Sequence, residues 1–328
     1  MSEGLVLITG ATGFVGRTLC PYLVERGVRL RALVRPTSNH AFLESLGVER
    51  AWGDLRDPPA LTQALSGCTA AVHAAALFRL WGRRRDFFAV NVAGTRNLLA
   101  AAQQTGVERF VHISTIAVVG RPPRRATITE ETPCRPWDAY QESKLEAERL
   151  VLSSGLPVIV LRPGAIYGPG SHYAANRLFF EDPLQGRPLQ VHRGRHITFP
   201  TFVRDVAQAV HLSLSRGRIG QVYNICGECL TQRQVGETVA RVLGRPARFI
   251  PVPGWGMVVL AWAWSALAHV TGREPYYPLG LYPYIFYDWP VSIEKAQREL
   301  GFAPTPFEEG ARETLAWYSL KPETEPET

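Results

Sequence analysis

The chain has 328 residues, 46% apolar and 20% charged, an ordinary globular mixture able to bury one sizeable core with a smaller lobe. Its net charge of +7 suits an anionic ligand, but the basic residues are scattered, with knots only at Arg83–Arg85 and Arg121–Arg125; no one-sided nucleic-acid-binding face is expected. Five cysteines make no disulfide framework, and Cys226-Gly227-Glu228-Cys229, with no second Cys or His pair, reads as a turn and not as a metal site.

Leu5–Thr9 is the first predicted strand, and it runs straight into glycines. No basic stretch, apolar run and cleavage site accompany it, so a cytoplasmic location is expected. Phe14–Arg26 follows as a helix with apolar positions at Phe14, Leu19, Leu23 and Val24. Arg29–Val34 is the second strand, and a third is expected before Gly53-Asp54-Leu55. Then come a short helix at Leu61–Leu65, a strand at Ala70–Ala74, a long helix at Val90–Gln104 and a strand at Arg109–Ser114. A helix at Tyr140–Ser153 and a strand at Val158–Arg162 complete the alternation. Nearly continuous apolar strands separated by helices predict an α/β fold: a doubly wound parallel (Rossmann) sheet covered on both faces, with a smaller C-terminal substrate lobe.

After residue 168 Pro and Gly become frequent and the elements shorten, while Val203–Leu214 and Gln221–Asn224 return to the sheet layer. Residues 1–168, rejoined by 197–225, are therefore expected to bind the dinucleotide. Residues 169–196 and 226–320 are expected to form the substrate lobe, and 321–328 a disordered tail.

Thr9-Gly10-Ala11-Thr12-Gly13-Phe14-Val15-Gly16 lies between the first strand and the first helix, where a dinucleotide pyrophosphate belongs. Glycines allow a tight turn and close backbone approach, and the helix N-terminus offers free N–H groups. Gly10, Thr12, Gly13, Phe14, Val15 and Gly16 are the candidate cradle. Arg35 ends the second strand. A carboxylate there would hold the ribose 2′-hydroxyl of NAD, whereas Arg pairs with the 2′-phosphate of NADP. NADP(H) is thus preferred, with NAD(H) open, Arg31 as a helper, and a ligand-free surface Arg35 as the alternative. Asp54, with Leu55 beside it, can accept from the adenine amino group, or serve as a turn carboxylate near a capping Asp57.

Tyr140 and Lys144, at i and i+4, share a helix face. A free phenol has a pKa of about 10, and a neighbouring ammonium, helped by an oxidised nicotinamide, favours the phenolate and lowers that value. Ser114-Thr115 ends a strand at the ligand-facing edge of the sheet, where a hydroxyl can hold a substrate oxygen beside the Tyr.

Taken in order, Thr9–Gly16, Gly53–Leu55, His73–Ala76, Asn91 with Gly94-Thr95, His112–Thr115, Tyr140–Lys144, Leu161–Gly170 and Val203–Ala207 resemble the extended short-chain dehydrogenase/reductase family. This is also called the NAD-dependent epimerase/dehydratase group, and the likeness spans residues 5–318. It implies that Tyr140 gives or takes the proton and that Lys144 binds the nicotinamide ribose and tunes the Tyr. It also implies that Ala74, Ala75 and Ala76 line the cofactor after a structural His73, and that Arg162, Pro163 and Gly164 lie near the nicotinamide. The family's active hydroxyl stands five residues before a closing Gly, here Gly120, which selects Thr115 with Ser114 as the fallback.

Dehydratases of the family resemble each other in an Asp-Glu after the active Thr; Ile116-Ala117 stands here and disfavours dehydration. Nucleotide-sugar epimerases carry an Arg for the pyrophosphate before the Val203–Ala207 motif. Thr198 occupies that place, with Arg193, Arg195 and Arg204 nearby, and Val119 replaces the usual Tyr before Gly120. Gly254–Val270 is 17 residues without a charge, and Tyr276–Trp289 is rich in aromatics. Together they read as a packed helix with aromatic core, or as a greasy pocket or patch facing a membrane-presented substrate; the helix is too short to span.

The chain is similar to the dihydroflavonol-reductase-like and 3β-hydroxysteroid-dehydrogenase-like branch. That implies hydride transfer between a nicotinamide cofactor and the carbonyl or secondary alcohol of an apolar small molecule. A nucleotide-sugar epimerase with tightly bound cofactor is the first alternative, and a non-catalytic NADP(H)-binding sensor the last. Family analogy implies a homodimer through Val90–Gln104 and Tyr140–Ser153, with at most weak peripheral membrane contact.

Overall fold

The computed structural model describes residues 4–124 and 126–320, the side chain of His269 apart; the tail from Lys321, expected to be disordered, lies outside the described residues. Seven strands form one parallel sheet: β1 (Leu5–Thr9), β2 (Arg29–Val34), β3 (Glu49–Trp52), β4 (Cys68–His73), β5 (Arg109–Ile113), β6 (Val158–Pro163) and β7 (Val222–Ile225). Their spatial order is β7-β6-β5-β4-β1-β2-β3. From β1 the chain winds outward through β2 and β3, then returns to β4 and winds the other way. The crevice at this reversal, above the C-terminal ends of β1 and β4, is where doubly wound sheets bind ligands.

Continuous apolar runs follow from burial on both faces: all of β1 and all of β6 are buried. On one face lie α1 (Phe14–Val24) and, later in the chain, Val203–Arg216, which contributes Val206 and Val210 to a core with Ile8, Leu19 and Val111. The other face is covered by α2 (Pro58–Leu65), α3 (Gly94–Thr105) and α4 (Ala139–Leu152), with Leu61, Leu98 and Val151 against Leu7 and Phe110. Asp57 caps α2 by accepting from the Ala60 N–H at 3.2 Å, as the turn chemistry predicts.

The long helix expected over Val90–Gln104 divides in two. Phe88–Ala93 is a π-helical stretch and Gly94–Thr105 is regular. The widened turn sends Asn91 inward, where its amide donates to Ser143 Oγ at 2.9 Å and accepts from the Leu77 N–H at 2.7 Å.

Beyond the sheet, short strand pairs join Ala165–Tyr167 to Pro200–Phe202 and Leu189–Val191 to Ile250–Val252. We label Val203–Arg216 α5, and Gly254–Thr271 is α6. One face of α6 is buried through Met257, Ala261 and Ala268. The aromatic segment is mostly packed: Trp289 is fully buried against Phe199, and Tyr276 and Tyr277 donate to Asp182 at 2.6 and 3.0 Å. Cys226 lies in the same core as Trp289, and Cys229 Sγ accepts from the Val291 N–H at 3.3 Å.

Candidate active site

The glycine turn sits over the sheet reversal. Gly10 has φ +75°, and a Cβ on it would stand 2.7 Å from the Ala75 nitrogen of the β4 loop. A Cβ on Gly16 would stand 2.2 Å from the Gly10 carbonyl oxygen, so helix and turn can meet only if residue 16 has no side chain. Gly13 caps α1 without any side-chain bond, which leaves the first N–H groups of the helix directed at the crevice. A cavity of about 2000 Å³ runs from here past Arg35, Asp54, Leu55 and Ala74–Ala76 to Thr115, Tyr140, Lys144, Pro163 and Gly164. Its outer walls are Phe179, Met257, Tyr277, Leu281 and Ile285. Gly16→Ala is expected to cost at least ~1–3 kcal/mol of stability and most dinucleotide affinity. Thermal unfolding with and without NADPH measures both, and a variant that melts and responds like the parent removes this account of the turn.

Thr115, just beyond β5, is buried, and its hydroxyl lies near enough to the Tyr140 phenol to pull the phenol's pKa down. Tyr140 opens α4, whose first turn is capped by Asp138 accepting from the Gln141 N–H at 2.8 Å. Phe78 and Phe87 hold its ring with centroids 5.0 and 6.2 Å away. Burial, and then the charge of Asp138, push the phenol well above its usual range; the Thr115 hydroxyl pulls the other way. Lys144 is not among the groups that shift the phenol here. Its buried ammonium donates to the Ile113 carbonyl at 2.7 Å, and burial lowers its own pKa to about 8, with the charge of Glu148 opposing the shift.

Three expectations are corrected by geometry. Ser114 is committed elsewhere, its hydroxyl donating to the buried Glu148 carboxylate at 2.6 Å, which leaves Thr115 as the hydroxyl beside Tyr140. Arg162 also turns away from the cavity and pairs with Glu148, Nε to Oε2 at 3.1 Å, so only Pro163 and Gly164 of that motif line the site. Arg31 is bound to Glu49 at 2.9 Å and to the Ala64 and Ser66 carbonyls at the end of α2, out of reach of the crevice.

Asp54 does line the cavity, but Arg56 grips its carboxylate at 2.8 Å and holds its pKa below the usual range, Arg35 adding to the effect. His73 is structural, bridging Thr9 and Thr95 at 2.8 and 2.9 Å. Thr198 lines the cavity, whereas Arg204 pairs with Glu313 at 2.7 Å, and Arg193 and Arg195 lie off the cavity wall.

Sequence reasoning missed the Thr37-Ser38-Asn39 loop and Arg17, which border Arg35 in the same cavity. A Pro-Thr-Ser-Asn turn directly after β2 was the available signal. It also missed Tyr173, whose hydroxyl accepts from the Leu80 N–H at 2.8 Å and donates to Glu274.

Residues 6–226 match the NAD dependent epimerase/dehydratase family, and the chain belongs to it. It is 33% identical to sterol demethylase protein B of Methylococcus capsulatus, over 95% of this chain and 97% of that protein. It is 30% identical to a 3-beta-hydroxysteroid dehydrogenase of Mycolicibacterium neoaurum, over 96% of this chain and 92% of the relative. Among solved structures, the Thermus thermophilus UDP-glucose 4-epimerase in complex with NAD superposes with a TM-score of 0.74 at 27% identity, covering 96% of this chain and 99% of the other.

Proposed function

We propose that the protein is an NADP(H)-preferring oxidoreductase that interconverts the carbonyl and secondary alcohol of an apolar small molecule. One observation carries the reading: a single cavity joins a glycine cradle that only a bare backbone fits, the Thr115–Tyr140 hydroxyl pair, and an apolar outer wall. Gly10–Gly16 and the N–H groups of α1 would hold the pyrophosphate, and Arg35 with Ser38 the 2′-phosphate. A bound nicotinamide supplies or takes the hydride. Thr115 and Tyr140 hold the carbonyl oxygen, and in reduction the Tyr140 hydroxyl passes its proton to that oxygen as it gains negative charge. Below about pH 8 the Lys144 ammonium is available to hold a ribose hydroxyl. Raised as it is, the phenol is protonated at neutral pH, which suits the reducing direction.

The test is stoichiometric NADPH oxidation with apolar ketones. An epimerase would show turnover without net NADPH consumption; Arg245 and Arg248 at the outer end of the cavity are the feature that favours that second reading. Arg35→Ala is expected to raise the KM for NADPH by about 10–100-fold while leaving that for NADH unchanged, since one charge-assisted contact is removed. Equal effects on both cofactors would sink the NADP assignment. The same proposal has the protein working in the cytoplasm as a homodimer through the faces of α3 and α4, with at most weak peripheral membrane contact.

A further inference from the structure

Helix α6 is apolar on both faces. Its inner face packs Met257 and Leu260 against Leu281, Tyr284, Ile285 and Phe286. Its outer face carries Trp255, Val259, Trp262 and Val270 at spacings of four, three and eight residues, so they form one stripe. Trp255 is 74% exposed, Trp262 67% and Val270 86%, with Leu267 half-exposed beside them. An apolar stripe of this size on a soluble surface marks an interaction site. Burying an indole and a neighbouring aliphatic chain gains far more than leaving them in water.

Three features choose the occupant. No Asp, Glu, Lys or Arg interrupts residues 254–272, while both ends are basic. At the N-terminal end the 192–196 turn lies against Gly254, a Cβ there falling 2.9 Å from His192 Nε2, and it exposes Arg193 and Arg195. Exposed Arg273 follows the C-terminal end. The nearby acids are engaged, Glu274 by Tyr173 and Asp288 by the Ile197 N–H at 2.9 Å. Tryptophans at the apolar boundary with arginines beyond them fit the interface of an anionic bilayer, where indoles sit at headgroup depth and basic side chains meet lipid phosphates. Among the described residues no helix is long and apolar enough to cross a membrane, so the contact is peripheral. Finally, Met257 on the inner face of α6, with Leu281 and Ile285 packed against it, also walls the main cavity, so one layer of side chains separates the helix from that cavity.

We infer that the exposed face of α6 docks on an anionic lipid surface, which brings the outer wall of the main cavity at Met257, Leu281 and Ile285 beside the bilayer. The inference rests on the proposed function for what enters the cavity, but not for the contact itself. Because the inner face is fixed to the protein, docking needs no folding of the helix.

The experiment is flotation of the full-length protein with vesicles of phosphatidylcholine alone and of phosphatidylcholine with phosphatidylglycerol. The parent is expected to float with the anionic vesicles, less so in high salt. A Trp255→Ser/Trp262→Ser variant is expected to partition at least about tenfold less. Ile219→Ser, which removes an exposed apolar side chain outside α6, should float like the parent. An NADPH-induced thermal shift in each variant establishes that it is folded. A parent that ignores anionic vesicles overturns the inference, as does a double variant that floats equally well. It is also overturned if the parent is a dimer that the double variant dissociates while neither binds vesicles, because the stripe then belongs to a second copy. A parent that floats but reduces no ketone upholds the docking surface and overturns the reductase reading instead.

Discussion

Tyr140→Phe is expected to lower reductive kcat by about 10²–10⁴-fold while leaving NADPH binding close to that of the parent. The substitution removes one oxygen and keeps the ring, so the contacts with Phe78 and Phe87 survive and α4 keeps its Asp138 cap. Thr115 cannot take over. Its oxygen accepts from the Ala117 N–H at 3.2 Å, which fixes the hydroxyl as an orienting donor, and an alcohol is a far weaker acid than a phenol. The pH dependence follows from the two groups. The phenol, raised by burial and Asp138, keeps its proton through neutral pH, whereas Lys144 loses its own above about 8. Reductive kcat/KM should therefore be level below that point and fall above it. Single-turnover NADPH oxidation across pH, with fluorescence titration of NADPH for binding, checks both statements; a Tyr140→Phe enzyme with full turnover removes Tyr140 from the mechanism.

How much of this was legible in the sequence depended on the range of the interaction that decides each feature. The strands were readable because burial on both faces makes β1 and β6 uninterrupted apolar runs, and the cradle was readable because Gly10 takes a positive φ in a strand-to-helix turn and Gly16 meets the Gly10 carbonyl within one turn. The Tyr140–Lys144 pair followed from helix periodicity together with its order after Thr115 and before Arg162-Pro163-Gly164. Features settled at long range were not legible. Ser114 and Thr115 are chemically similar neighbours, and only the approach of Glu148, 34 residues away, commits one and frees the other. Arg31 looks as suitable as Arg35 until β3 brings Glu49 beside it. Asn91 enters through a π-helical turn that a regular period does not predict. The bond of the Lys144 ammonium to the Ile113 carbonyl was likewise not legible, because spacing along a helix does not show which strand end comes within its reach.

Arg162→Met is expected to destabilise the fold by about 3–5 kcal/mol, a large part of the total stability of a domain. The Glu148–Arg162 pair is buried, its side chains 2% and 6% exposed, and it links α4 to β6 beneath the active site. Removing the guanidinium strands Glu148 in the core with Ser114 as its remaining side-chain donor, and the carboxylate must then take up a proton or admit water. The disturbance should spread to activity as well. Glu148 stands one turn after Lys144, whose charge it favours, and the same carboxylate anchors Ser114, the neighbour of Thr115, so the Thr115 end of the hydroxyl pair leans on it. A double variant, Glu148→Gln/Arg162→Met, removes both charges and is expected to lose less stability than the sum of the single changes. Denaturant unfolding of the three variants supplies the cycle. If Arg162→Met loses less than about 1 kcal/mol, or if the losses simply add, the pair is an incidental buried contact and the support for the catalytic strand ends must lie in the apolar core.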